Sequence, residues 1–527
     1  ITIIKITCMK HRLSILLLLV SYVTLACGQI VFPSPNQVEM KKGKLTLRKN
    51  ISMYTADTTA FYVSLLRSEV LRDTSVKWQS KASAAHICWM NDPSLPPEGY
   101  KISINPKQMT ITASGERGFI YAVQTLRQWV SGPAGKLTFA CADITDSPRM
   151  QWRCFLLDSG RQYQRISTIK KYIDMASLLK MNYFHWHLTE GLGWRIEIKR
   201  YPHLAQVGGS VGKAEEQQGF YTQEEIREVI NYASQRNITI VPEIDMPGHA
   251  EAALSAHPEL GCFGLPVEVP QQGFTQNIFC AGKDEVLTFL KNVLDEVCEL
   301  FPSPYIHLGG DEAPKGNWNK CEDCQKRIAA LNLKDSHDLQ LWFSAQMANH
   351  LKQKGRKAIF WGDVVYQDGY PLPDNTVIQW WNYRGHKDLA LRNALKHNYP
   401  VICSSNYYTY LNFPLTPWRG YAKERTFDLK DLYLDNPSNK ACNEKNPLIL
   451  GMSCALWTDD VVTERMIDQR LFPRIIGLAE QMWHQGEPLD FTRFYEHVLQ
   501  KKEWFEQQGY EFGPALKSEV PQDYKWD

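Results

Sequence analysis

From residue 148 onward the hydrophobic positions fall into short runs of strand length, each followed by residues with helical spacing. CFLLD (154–158) precedes STIKKYIDMASLLKM (167–181), YFHWHLT (183–189) precedes TQEEIREVINYASQR (222–236), and ITIVPEID (238–245) precedes DEVLTFLKNVLDEVCEL (284–300). YIHLGGDE (305–312) precedes LQLWFSAQMANHLKQK (339–354). The series continues through AIFWGDVV (358–365), TVIQWW (376–381) with its helix DLALRNALKH (388–397), and PVICSSNYYTY (400–410). It closes with LILGMSCALW (448–457), which leads into a helical stretch, VTERMIDQRLFPRIIGLAEQMW (462–483). Eight strand candidates alternating with helices imply parallel pairing, and eight suit a closed (β/α)8 barrel better than an open doubly wound sheet.

Ahead of the barrel, KISINPKQMTITA (101–113) alternates apolar and polar residues, and FIYAVQTLRQWV (119–130) after Gly118 has helical spacing. A small mixed α+β domain over 29–147 is the expectation, with DSPRMQW (146–152) and its Pro148 marking the boundary. The fold class is therefore α/β, a TIM barrel at 148–490 preceded by that domain and followed by a helix and polar tail at 491–527. Residues 9–29, MKHRLSILLLLVSYVTLACGQ, run from a basic start through an apolar stretch (Leu13 to Val20) to small residues. That pattern predicts a signal peptide within 1–28 and export to a periplasmic or extracellular compartment. A lipid anchor on Cys27 stands as a second reading, with the apolar residue one place off the usual pattern. No later run is long enough to span a membrane.

Charge is balanced, 59 basic against 57 acidic residues; without residues 1–28, which carry Lys5, Lys10 and Arg12 and no acid, it is 56 against 57. Neither a nucleic-acid nor an anionic-membrane partner is implied. Sixteen Trp and 24 Tyr suit a protein that stacks on sugar rings, and suit equally a large core rich in indole. Of 13 cysteines, Cys262 and Cys280 bracket a loop that a disulfide would close in an oxidising compartment. Cys321 and Cys324 form a lone CxxC, read as a local disulfide or two thiols, because no further zinc ligands follow at suitable spacing.

Functional residues of such a barrel lie at the C-terminal strand ends. Those ends carry Asp158 and Arg161; His185, His187 and Glu190; Glu243, Asp245 and His249; His307, Asp311 and Glu312; then Trp361 and Asp363, Trp380 and Trp381, Tyr410 and Asn412, Trp457 and Asp459. Each taken singly reads as a satisfied structural residue; recurrence at eight ends points to a site. Two chemistries compete. His185 and His187 share a strand face, and with His249, His307 and Asp311 could hold a divalent metal for hydrolysis. Alternatively Glu312, beside Asp311, serves as a general acid for glycoside cleavage. The abundance of aromatic residues and the export signal favour the latter.

Five segments, LLDSGR (156–161), HWHLTEGLGWR (185–195), PEIDMPGH (242–249), HLGGDE (307–312) and ALWTDD (455–460), together resemble glycoside hydrolase family 20, the β-N-acetylhexosaminidases. The resemblance runs from about residue 30 to 490. It implies exo-acting removal of terminal GlcNAc or GalNAc from a glycan by a substrate-assisted retaining mechanism, without cofactor or metal. The substrate's acetamido oxygen would attack the anomeric carbon, Glu312 would act as acid and then base, and Asp311 would orient the acetamide N–H. Gly309 and Gly310 are expected to turn the backbone so that both acids enter the mouth.

By the same resemblance Arg161 would grip O3 and O4, Trp361, Trp381 and Trp457 would wall the acetamide methyl, and Tyr410 would donate to its carbonyl. Glu190, Asp245 and His249 would support the acid. Three positions depart from the family pattern. Glu190 stands where Asp is usual, Asn412 where an Asp commonly contacts the O4/O6 edge, and Asp459 where a Glu does. Loss of the carboxylate at 412 suggests recognition of an O6-modified sugar such as 6-sulfated GlcNAc. A non-catalytic sugar-binding protein is the remaining reading, disfavoured because both acids and Tyr410 are present.

Overall fold

The computed structural model describes residues 29–72, 74–211, 217–270, 273–382, 389–417, 425–459 and 462–524. The expected signal peptide and Cys27 lie outside them. Two compact units emerge among the described residues, one formed by residues 29–148 together with 484–508, the other by 149–483 and 509–524.

The first unit is built on a seven-stranded mixed sheet in the spatial order Gln37–Arg48, Lys136–Asp146, Tyr100–Ile104, Met109–Ala113, Ile87–Asn91, Asn50–Tyr54 and Ser75–Trp78. The alternating segment at 101–113 folds into an antiparallel hairpin, Ile104 opposite Met109 and Ile102 opposite Ile111, with those four side chains buried. Helix Glu116–Trp129 is buried along nearly its whole length. Gly118 permits that burial, since a Cβ there would meet the Gly99 carbonyl oxygen at 2.3 Å. The helix Phe491–Gln507 clusters with this unit, and Phe494 meets Phe32 edge to face at 5.7 Å.

The second unit is a closed parallel barrel of eight strands: β1 Trp152–Asp158, β2 Tyr183–His187, β3 Thr239–Glu243, β4 Tyr305–His307, β5 Lys357–Trp361, β6 Thr376–Trp380, β7 Val401–Cys403 and β8 Ile449–Leu456. Closure is made by β8 on β1, with Gly451 beside Trp152 and Leu456 beside Leu157. Every strand read from the hydrophobic pattern is present. The helical stretch at 462–483 instead divides into Glu464–Leu471 and Arg474–Trp483, because Pro473 has no N–H to donate and its ring obstructs the preceding turn. Among the described residues no helix is long and apolar enough to cross a membrane.

The cysteine reading is corrected. All eleven described cysteines are free thiols, so no Cys262–Cys280 disulfide closes the loop. The two partners that the CxxC lacks in sequence are those same residues: Cys262 and Cys280 stand with Cys321 and Cys324 in one cluster. Linear spacing does not reveal this, because the fold, not the chain, makes them neighbours.

Candidate functional site

Inward-facing residues recur every second position along a strand, and the top of the barrel interior is charged. Glu243 at the end of β3 is the centre. Its carboxylate meets His185 Nε2 at 2.8 Å, His187 Nδ1 at 2.5 Å and His307 Nδ1 at 3.1 Å, and accepts from Trp361 Nε1 at 2.8 Å. Burial alone would raise the Glu243 pKa, but the neighbouring His307, His187 and His185 outweigh it and hold the carboxyl well below its ordinary value. Burial lowers His185 to about 4, so it is neutral. His187 is pushed the other way: Glu243 and a hydrogen bond to Glu190 overcome burial and keep it protonated well above 6.5. His185 and His187, read as candidate metal ligands, thus converge on a carboxylate.

Above this layer Asp311 and Glu312 follow β4. Gly309 (φ 63°) and Gly310 (φ 96°) both occupy the left-handed region, and Glu312 itself has φ 46°. A Cβ on Gly309 would sit 1.8 Å from Asp245 Oδ1, and one on Gly310 would sit 2.6 Å from Val364 Cγ2. Only glycine allows both the dihedral and the approach. Asp245 Oδ1 accepts from Gly310 N at 3.0 Å, fixing the turn. Burial and then the Asp311 charge push the Asp245 carboxyl well above the usual carboxylate range. The result is the expected one: consecutive acids both face the pocket, with side chains 18% and 36% exposed. Asp311 Oδ1 is buried and has no hydrogen-bond partner among the described residues.

His249 links the acids to the barrel. Its Nδ1 lies 2.7 Å from Glu190 Oε1, and its Nε2 lies 3.5 Å from Asp311 Oδ2 and 3.7 Å from Glu312 Oε2. Against burial, Glu190 and Asp311 raise its pKa well above 6.5, making it a cation at neutral pH. Glu190 in turn is held well below 4.5, because Arg161, His249 and His187 outweigh burial.

Arg161 is surrounded by acids. Nη1 meets Asp158 Oδ2 at 2.8 Å, Nη2 meets Glu190 Oε2 at 3.3 Å and Nε meets Asp459 Oδ1 at 3.3 Å, while the guanidinium carbon lies 5.2 Å from the centre of the Trp457 ring. The strand-end ion pair with Asp158 is present, and the same guanidinium lines the pocket.

The pocket is lined by Arg161, His187, Glu190, Asp311, Glu312, Trp381, Asn406, Tyr410, Asn412, Phe413, Arg425, Trp457 and Asp459. Trp381 stacks on Tyr410 at 6.2 Å, and its Nε1 donates to Asp363 Oδ2 at 2.5 Å. Asn412 Nδ2 donates to Asp459 Oδ2 at 3.1 Å. Of the residues that the family resemblance assigns, three do not line the pocket: Trp361 packs beneath Trp457 at 5.8 Å, Asp245 lies under the glycine turn, and His249 lies behind the acids. Glu243 and Asp363 were visible as strand-end acids but not singled out; Glu243 shares the inward face with Asp245 two residues on, which was the available signal. Asn406 opens the short helix Asn406–Thr409, and Phe413 and Arg425 come from irregular segments; none belongs to a motif. Most of the other described tryptophans are buried, Trp186, Trp194, Trp318 and Trp483 fully so, and the core accounts for much of the indole content.

A parallel barrel that ends in paired carboxyls flanked by indole and phenol faces belongs to the glycoside-cleaving class. Comparison with known proteins makes the family definite. Residues 150–486 match Glycosyl hydrolase family 20, catalytic domain, and residues 29–147 match Glycosyl hydrolase family 20, domain 2; the chain belongs to this family. A crystal structure of beta-N-acetylhexosaminidase from Bacteroides fragilis is 64% identical over 95% of this chain and 100% of that one, with a TM-score of 0.91. A GH20 exo beta-N-acetylglucosaminidase from Vibrio harveyi, solved with N-acetylglucosamine, is 28% identical over 93% of this chain and 79% of that one, with a TM-score of 0.83. Beta-hexosaminidase of Porphyromonas gingivalis is 36% identical over 76% of this chain; the chain spans 53% of that protein's length.

Proposed function

We propose that this protein is an exo-acting β-N-acetylhexosaminidase that removes terminal GlcNAc or GalNAc from glycans with retention, the substrate's acetamido oxygen serving as nucleophile. The observation that carries the reading is the acid pair itself. Asp311 presents a buried carboxylate oxygen with no partner among the described residues, suited to accept an acetamide N–H, while the more exposed Glu312 beside it is suited to give a proton to a leaving oxygen. Asp311 thereby orients the amide and offsets the positive charge that develops as the oxazolinium ring closes. Glu312 then takes a proton from the incoming water.

Arg161, held rigid by three carboxylates, is assigned to the sugar's O3 and O4. Trp381 and Trp457 wall the methyl group, Trp361 backs Trp457 from beneath, and Tyr410 donates to the carbonyl. Glu190, Asp245 and His249 keep the acids in place. Asn412 and Asp459 form the O4/O6 edge. On this edge we read acceptance of 6-sulfated GlcNAc: a neutral amide stands at 412, and the cation Arg425 lines the same pocket. Comparing rates on plain and 6-sulfated GlcNAc aryl glycosides tests it; an unchanged ratio in Asn412→Asp ends the sulfate reading. Export is proposed from the N-terminal pattern and is checked by cell fractionation.

The test of the main reading compares aryl β-glycosides bearing a 2-acetamido or a 2-hydroxyl group. Hydrolysis confined to the first, with the β-anomer as initial product, is the expected result. Equal rates would refute substrate assistance.

A further inference from the structure

Cys262, Cys280, Cys321 and Cys324 lie outside the pocket and take no part in the chemistry above. Their sulfurs are all within 4.8 Å of one another, Cys280 Sγ standing 3.7 Å from that of Cys321 and 3.5 Å from that of Cys324. Three of the four residues are buried and Cys262 is half-buried. A tetrahedral ion with metal–sulfur bonds of about 2.3 Å spaces its thiolates about 3.8 Å apart, whereas a disulfide draws two sulfurs to about 2.05 Å. We propose that these four cysteines form a structural site for one zinc ion.

The surrounding backbone is arranged for such a site. Cys321 immediately precedes the helix Glu322–Ala330 and Cys324 lies in its first turn, so the CxxC supplies two ligands from one rigid start. Cys262 and Cys280 come from one loop, pinned by Cys280 N donating to Leu260 O at 2.9 Å and by a bridge between Gly261 and Phe279. Gly282 brings this loop against the helix: a Cβ there would lie 2.3 Å from Asp323 C and from Cys324 N. Lys283 Nζ donates to Gly261 O at 2.7 Å and Arg327 Nη2 to Gly282 O at 2.9 Å, placing two cations on loops that would carry four thiolates around one divalent ion. Four protein ligands complete a tetrahedron and leave no position for substrate, and soft thiolates select zinc over magnesium, calcium or manganese.

The ion would tie together two segments that flank the acid pair and His249. Gly316, four residues beyond Glu312, donates to Gln276 Oε1 at 3.0 Å, and Trp318 Nε1 donates to Phe279 O at 3.0 Å. Phe274 from the same loop stands 5.6 Å from the His249 ring. Zinc therefore acts as a clamp between the loop after β3 and the segment that follows the acid pair.

Metal analysis of the purified full chain decides the matter. One zinc per chain, released together with four titratable thiols on addition of a mercurial, is the expected result. Protein that lacks zinc and takes none up from added Zn2+ overturns the proposal, whether its four cysteines titrate freely or have lost four hydrogens to two disulfides. Exchange with Co2+ should give the visible absorption of a tetrahedral thiolate complex; an octahedral spectrum would also overturn it. Cys321→Ser with Cys324→Ser should retain less than about a tenth of the zinc, and if that variant fails to fold, the metal content and cobalt spectrum of the unaltered chain still give the answer.

Discussion

At the bottom of the barrel Trp152, Cys154, Val241, Ile359, Val377 and Ile402 fill the interior, with Tyr183 and Tyr305 packed against them. Two residues further along the same strands, Tyr183 gives way to His185, Val241 to Glu243, Tyr305 to His307 and Ile359 to Trp361. The lower floor is stabilised by removing apolar area from water, and each side chain contributes nearly independently. The upper floor is stabilised only as a set. An ionised Glu243 at 0% exposure is tolerable because three imidazoles and an indole surround it, and each of those is positioned by the same carboxylate. The apolar floor also closes off water from below, which strengthens every interaction in the charged layer. A barrel can thus place a polar network at its catalytic end because its other end is dry.

Several substitutions would sharpen or break that contrast. The largest effect belongs to the acid pair. Glu312→Gln should slow hydrolysis by about 10²–10⁴-fold on glycosides with poor leaving groups and by much less on activated aryl glycosides, whereas Asp311→Asn should be damaging on both; steady-state rates across a leaving-group series check this, and equal losses everywhere would contradict the division of roles. Next comes Glu243→Ala, which leaves a protonated His187 buried without its main partner and should cost roughly 3–5 kcal/mol in urea unfolding. If it cost no more than a surface substitution, the upper floor would not be a cooperative set.

Glu190→Gln tests the network through pH. Because the Glu190 pKa is held below its unfolded value near 4.5, its stabilisation is full above that pH and is lost as pH falls toward the folded value. Below about pH 5, where the imidazoles of the unfolded chain are already protonated, the stability gap between wild type and variant should therefore narrow as pH falls, as read by unfolding at each pH. A gap that widens on acidification would reverse the assignment. The smallest effect is expected from Ile359→Val on the lower floor, about 0.5–1.5 kcal/mol with activity unchanged; a large loss of activity there would mean that the two floors are coupled.

Much of this was legible in the linear chain. Strand-length apolar runs gave all eight barrel strands, since strands buried on both faces read as continuous hydrophobic segments. The acid pair and its glycines were legible because a turn that needs positive φ leaves a visible mark. Glu243 was harder to recognise: an acid inside a strand reads as a single oddity until the register sets it beside His187 and His307. Arg425 and Phe413 reach the pocket from irregular segments whose course no periodicity encodes. The cysteine cluster was illegible for a related reason, 41 residues separating Cys280 from Cys321.

The glycine turn after β4 also bears on redesign. Transplanting an acid doublet onto the strand end of another barrel would deliver one carboxyl to the cavity and send its neighbour into the surrounding helices, unless two residues without side chains and a receiving aspartate travel with it. The heritable unit at this position is consequently a six-residue corner plus its distant acceptor, and exchanging the acids alone would carry over composition without geometry.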